Sequence, residues 1–173
     1  MKKLTKIAIV GYGFVGKAVN QIDAVCEVNI YDLHNDYNTL EHKRKAYNSD
    51  IIFINVPTNL KDGRLDISII EDCIHEYKNY NLRLDPTLVI KSTIPVGTCR
   101  ELSQCFNLTN IVFNPEFLSQ RTAMQDFINE QELYLAGPKA HTTKIKHLYE
   151  EFFGYHENYD VEIFETENWE EIE

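Results

Sequence analysis

The sequence predicts an α/β fold, a doubly wound parallel sheet in a single domain, and three observations predict it. Apolar runs of strand length alternate with segments that read as helices, joined by short connections. Two of the runs, Ile7–Val10 and Ile51–Val56, are apolar but for Asn55, as parallel strands covered on both faces are. The first run also leads straight into a glycine-rich turn, Gly11-Tyr12-Gly13-Phe14-Val15-Gly16.

Taken in order, Ile7–Val10 is a strand, Val15–Ile22 a short helix, and Val28–Tyr31 a second strand that ends in Asp32. A glycine triplet by itself also occurs in ordinary turns. Here the strand before it, the helix after it and the carboxylate about twenty residues on agree with a dinucleotide-binding βαβ unit of the Rossmann type. Gly11 permits the tight turn, Gly13 lets the backbone approach a pyrophosphate, and Gly16 lets helix and strand pack closely. The helix start offers free N–H groups and the positive end of its dipole to the phosphates. Asp32 accepts hydrogen bonds from the adenosine ribose and repels a 2′-phosphate, which favours NAD over NADP. Leu33 and His34 bring no arginine that would reverse the preference.

The stretch His34–Asn48 is polar and predicted mostly helical, with Leu40 and Tyr47 available to pack. Ile51–Val56 is a strand stopped by Pro57, Thr58 and Asn59, and Lys61–Arg64 is a turn. Asp66 reads as the N-cap of a helix reaching about Tyr80, with Ile67, Ile70, Cys73, Ile74 and Tyr77 on its inner side. Leu88–Lys91 is a strand, Ser92–Gly97 a loop, Thr98–Phe106 a helix and Ile111–Phe113 a strand. A loop Asn114–Leu118 follows, then a helical segment to about Ile128, a strand Leu133–Ala136, a helix Lys144–Phe153 and a last strand Val161–Phe164. The ending, residues 165–173, carries five glutamates. It reads as a solvated acidic tail or the start of a helix, with Trp169 and Ile172 as the alternative, a partner contact. The domain is therefore placed at residues 1–164.

Seventeen basic against 27 acidic side chains give a net charge of −10, which argues against nucleic acid or an anionic membrane as partner. No apolar run reaches the length of a membrane span, and the start at Met1-Lys2-Lys3 is not followed by a signal-peptide core, so a cytoplasmic protein is expected. Cys26, Cys73, Cys99 and Cys105 lack metal-ligand spacing and read as reduced, mostly buried thiols, with no metal site.

In a doubly wound sheet, ligands bind outside the carboxyl ends of the strands. Three loops there narrow the function: Val56-Pro57-Thr58-Asn59, the KSTIPVGT run Lys91–Thr98, and the NPEFL run Asn114–Leu118, followed by Thr122, Ala123, Asp126 and Phe127. In order and spacing, from about Ile7 to about Phe164, this set resembles the NAD-binding domain of the UDP-glucose/GDP-mannose dehydrogenase family. The resemblance implies oxidation of a nucleotide sugar, UDP-glucose or similar, at its C6 hydroxyl with NAD. It implies that Gly11–Gly16 (Tyr12, Phe14 and Val15 included), Asp32, Val56, Pro57, Thr58 and Gln120 hold the cofactor. Thr93 would stand beside the nicotinamide and the reacting centre. Glu116 would act at the sugar as a base or on water, with Phe117 and Leu118 offering backbone groups to the substrate. Read without the resemblance, Thr58 and Thr93 equally close turns and Glu116 is equally an exposed loop acid. Lys91 pairs with a phosphate, salt-bridges Glu116 or covers the sheet edge, and stands outside the catalytic set.

Two departures from the family are legible. Gln120 stands where family members usually carry an acid, and it cannot take a proton. The family's catalytic cysteine lies in a glycine-rich FGGxCxxKD-like motif of a later domain, and no cysteine here has that context. Covalent catalysis needs a thiolate at the sugar carbon near an oxyanion stabiliser. The chain alone is therefore expected to be inactive, completed by a separate C-terminal half or by a homo-oligomer. Two other readings remain open: a non-catalytic NAD or nucleotide-sugar binding module, and a one-step dehydrogenase using Thr93 and Glu116.

Overall fold

The computed structural model describes residues 5–34, 36–83 and 85–173; Lys2, Lys3 and Asn35 lie outside the described residues. Its strands are β1 (Lys6–Val10), β2 (Glu27–Tyr31), β3 (Ile51–Ile54), β4 (Leu60–Lys61), β5 (Arg64–Leu65), β6 (Thr87–Ile90), β7 (Ile111–Phe113), β8 (Glu132–Ala136) and β9 (Glu162–Thr166). Its helices are α1 (Phe14–Val19), prolonged by a 3-10 stretch Asn20–Ala24, α2 (Leu40–Tyr47), α3 (Ser68–Tyr80), α4 (Thr98–Phe106), α5 (Ala123–Ile128) and α6 (Lys139–Tyr155).

Seven strands form one sheet in the order β2-β1-β3-β6-β7-β8-β9, and β4 and β5 form a small hairpin. Strand alternation divides the core between the two faces. Ala8 and Val10 of β1 join Ile52, Ile54, Leu88 and Ile90 beneath Tyr47, Ile70, Ile74 and Leu102 of α2, α3 and α4. Ile7 and Ile9 join Phe53, Val89 and Val112 on the other face, against Ala18, Phe127, Tyr149 and Phe152 of α1, α5 and α6. The doubly wound α/β expectation holds, with one correction to the parallel sheet. β8 runs antiparallel to β7, meeting it at the pair Phe113↔Ala136, and β9 then runs parallel to β8.

Other differences have local causes. Among the described residues of the polar stretch only Leu40–Tyr47 is helical, its start set by the Thr39 side chain accepting from the His42 amide. Tyr47 is buried, whereas Leu40 is 53% exposed and packs little. The N-cap of α3 is Ile67 and not Asp66, which stands one residue earlier with its Oδ1 accepting from Ser68 N at 3.0 Å. The turn at Asp62 and Gly63 closes the β4–β5 hairpin. Helix α6 starts at Lys139, a turn earlier than expected, and its first turn carries buried polar side chains, His141 and Thr142. A ring nitrogen of His141 lies 2.8 Å from the Thr87 hydroxyl, so that polar turn is satisfied internally.

Residues 165–173, expected to be a solvated tail, fold back instead. Trp169 Nε1 donates to Ile111 O at 3.2 Å, and Arg100 pairs with Glu170 at 2.8 Å. The Glu173 carboxylate accepts from Gly97 N at 2.6 Å and Cys99 N at 2.8 Å, which places negative charge at the positive end of α4. Acidity that reads as solvent-seeking is here a helix cap. Trp169→Ala removes an indole packed on the core together with its hydrogen bond, an expected cost of about 2 kcal/mol. Calorimetry is expected to show the Tm falling by about 4–8 °C; an unchanged Tm would mean that the tail contributes nothing.

Cys26, Cys73 and Cys99 are buried and Cys105 is exposed, all of them free thiols. Among the described residues no helix is long and apolar enough to cross a membrane.

Candidate functional site

The glycine turn sits at the carboxyl end of β1, tied to its neighbours by two bonds. Gly11 N donates to Tyr31 O at 3.0 Å, and Tyr12 N donates to Asp32 Oδ2 at 2.6 Å. The other carboxylate oxygen of Asp32 accepts from His34 N at 2.7 Å. Each oxygen keeps a lone pair for a further donor, so the carboxylate is oriented but not saturated. The first intrahelical bond of α1 runs from Lys17 N to Gly13 O, which leaves the amides before it without a helical acceptor.

The loops after β3 and β6 brace one another. Thr58 Oγ1 donates to Thr93 O at 2.7 Å, and Ser92 Oγ donates to Val56 O at 2.7 Å. The loop after β7 fixes its own acid, with Leu118 N donating to Glu116 Oε2 at 2.7 Å. Beneath these loops lies Lys91, 3% exposed, whose Nζ donates to Asn114 O at 3.3 Å and Oδ1 at 3.0 Å. Tyr149 of α6 donates its hydroxyl to the same Oδ1 at 2.7 Å. Burial pulls the Lys91 pKa down to about 8, opposed by the charges of Glu116 and Glu130. Burial likewise raises the Glu130 carboxyl.

A cavity of about 470 Å³ joins these pieces. Of the residues expected to hold cofactor or substrate, Gly11, Tyr12, Gly13, Phe14, Val15, Asp32, Val56, Pro57, Thr58, Thr93 and Glu116 line it. Gly16 lies buried beneath the turn, where it packs α1 against β1. Phe117 is 69% exposed, its ring edge-on to Tyr134, and Leu118 packs on the core at the loop base. Gln120 is exposed and is not among the lining residues, which separates it from the cofactor contacts expected of it. The cavity also takes in His34, Asn55, Lys91 and Ser92, which were not among the expected site residues. Their shared signal is position, since each stands at or just past the carboxyl end of a parallel strand.

A second hollow of about 500 Å³ adjoins the first, sharing Gly11, Asp32, His34, Val56 and Pro57, and runs on between β2 and α3. Together they have the size and elongation for a dinucleotide. The glycines test that fit. A Cβ on Gly13 would meet nothing within 4 Å, so the backbone there faces open space as a phosphate cradle must. Gly11 and Gly16, by contrast, are closely packed by the protein itself. None of the four cysteines lines the first cavity. Burial pushes the Cys26 thiol up to about 12 and the Cys73 thiol to about 11, so both are protonated and poor nucleophiles.

Comparison with known proteins agrees with this geometry. Residues 32–153 match the family model described as the UDP-glucose/GDP-mannose dehydrogenase family, NAD binding domain. A UDP-glucose 6-dehydrogenase of Campylobacter jejuni is 36% identical over 100 residues, covering 57% of this chain and 24% of the relative. Among solved structures, a GDP-mannose dehydrogenase of Pseudomonas aeruginosa superposes with a TM-score of 0.74 at 22% identity, over 94% of this chain and 46% of that one. A UDP-glucose dehydrogenase of Pyrobaculum islandicum gives a TM-score of 0.74 at 20% identity, over 95% and 46%. At those identities the superpositions speak for the fold. The chain spans less than half the length of these relatives.

Proposed function

The chain belongs to the UDP-glucose/GDP-mannose dehydrogenase family through its NAD-binding domain, and we propose that it is the cofactor-bearing part of a nucleotide-sugar 6-dehydrogenase. Its substrate is then a UDP- or GDP-sugar such as UDP-glucose. The reading is carried by one observation: a single cavity brings the glycine turn and Asp32 together with Thr93 and Glu116 of the two signature loops.

Bound NAD supplies the hydride acceptor. The turn amides hold the pyrophosphate, and the fixed Asp32 carboxylate takes the adenosine ribose. Val56, Pro57 and Thr58 flank the cofactor, and the Thr58–Thr93 bond positions Thr93 beside its reactive end. Glu116, oriented by the Leu118 amide, orders water or takes a proton at the sugar carbon. Phe117 and Leu118 offer backbone groups to the sugar nucleotide. Oxidation as far as the carboxylate needs a thiolate, and the cavity-lining residues include none. The proposal therefore includes a cysteine from a further stretch of polypeptide or another chain.

Absorbance at 340 nm tests this. With NAD and a panel of UDP- and GDP-sugars, the chain is expected to bind NAD in the micromolar to submillimolar range without forming NADH. A cysteine-bearing C-terminal half added to the same cuvette is expected to give two NADH per sugar. One NADH per sugar from the chain alone would replace the proposal with a one-step dehydrogenase.

A further inference from the structure

Binding of cofactor and sugar gives no role to the most deeply buried charge in the cavity. Lys91 follows the last residue of β6 and lines the cavity alongside Thr93 and Glu116. The sheet order β2-β1-β3-β6-β7 sets it well across from Asp32, which follows β2. With the adenosine ribose at Asp32, the nicotinamide end of the cofactor reaches the β6–β7 side, and the role of Lys91 rests on that placement of NAD.

The hydrogen bonds of Lys91 suit an amine that alternates between two protonation states. A neutral amine has two N–H donors and one lone pair, and Asn114 accepts two bonds, through O and Oδ1. Deprotonation therefore strands no acceptor and frees the lone pair. We propose that Lys91 gives up its proton when oxidised NAD binds and keeps it when the reduced cofactor binds.

The driving force is like-charge repulsion at a buried amine, where an ammonium and the positively charged nicotinamide ring destabilise one another. Of the two, only the lysine can shed its charge. Burial already holds it near the point of doing so, with a pKa of about 8. The facing groups are few. Glu116 from the β7 loop and Glu130 from the α5–β8 connection favour the ammonium, and Asp126 and Glu132 lie beside Glu130. From α6, Tyr149 presents a hydroxyl whose own ionisation burial has pushed far upward. The reduced nicotinamide is uncharged, so the same contacts leave Lys91 protonated when NADH is bound.

Titration calorimetry of NAD and NADH at pH 7, in buffers of different ionisation enthalpy, tests the proposal without turnover. Close to one proton is expected to be released per NAD bound and almost none per NADH. From a pKa of about 8, NAD affinity is expected to rise about tenfold between pH 7 and 9, while NADH affinity changes less than twofold. In Lys91→Met the NAD affinity should lose its pH dependence. In Lys91→Arg, which keeps its charge, NAD binding should stay weak at every pH while NADH binding is retained. NAD binding without proton release, or a pH slope that survives in Lys91→Met, overturns the proposal alone. Failure of both nucleotides to bind overturns the cofactor reading and the proposal with it.

Discussion

Gly16→Ala is expected to cost about 3 kcal/mol and to lower the Tm by about 6–12 °C. A Cβ at Gly16 would lie 2.1 Å from Gly11 O and 3.2 Å from Ile9 Cγ2, so helix α1 would have to move off the turn. The turn has no room to yield. Gly11 adopts φ +88°, its amide is bonded to Tyr31 O, and its own Cβ position is 2.6 Å from Asn55 O. Gly13→Ala is the informative contrast. Its backbone is extended at φ −72° and ψ −159°, and its Cβ would enter open space. Stability should change by less than about 0.5 kcal/mol, whereas NAD affinity should fall at least tenfold because the methyl fills the phosphate cradle. Calorimetric melting combined with NAD titration separates the two glycines. If Gly13→Ala binds NAD normally, the pyrophosphate does not lie on this turn.

Asn114→Ala is expected to cost about 4 kcal/mol. Asn114 is 0% exposed and its side chain serves three partners. Oδ1 accepts from Lys91 and Tyr149, and Nδ2 donates to Tyr134 O at 2.9 Å. Alanine leaves a fully buried phenol, a strand carbonyl and a buried amine short of partners at once, and such groups lose their hydration without compensation. In urea the midpoint should fall with the m-value unchanged. Tyr149→Phe removes one of the orphaned groups, so the double variant should lose less than the sum of the singles. Strict additivity would mean that the network does not act as a unit.

Much of this arrangement is legible in the sequence. Helix α4 and strand β7 fall on the residues their patterns indicate, the helix bounded by Gly97 and Asn107 and the strand buried throughout. The glycine turn, Asp32 and the three loop signatures converge on one cavity because a parallel sheet delivers every strand's carboxyl end to the same edge. The direction of β8 is not legible, since an apolar run such as Leu133–Ala136 reads the same way up or down. The first turn of α6 escapes the pattern because His141 and Thr142 look like surface residues until Thr87 is brought beside them. Lys91 is half legible: a lysine ending a strand equally suggests a phosphate partner, a salt bridge to Glu116 or a cover for the sheet edge, and its burial depends on Asn114 and Tyr149, distant in sequence.

The single antiparallel pair between β7 and β8 also has a mechanical meaning. The strands from β2 to β7 are joined by full ladders, and β8 and β9 by another, but between the two groups the backbone is joined at Phe113↔Ala136 alone. The sheet is thus two leaves meeting at a narrow seam. Across that seam run side-chain stitches, Asn114 to the Tyr134 carbonyl and Trp169 to the Ile111 carbonyl. A ladder resists shear through a repeating backbone pattern that tolerates most substitutions. A stitched seam depends on the identity of two residues, and of these Trp169 is the one that lies outside the leaf carrying the glycine turn.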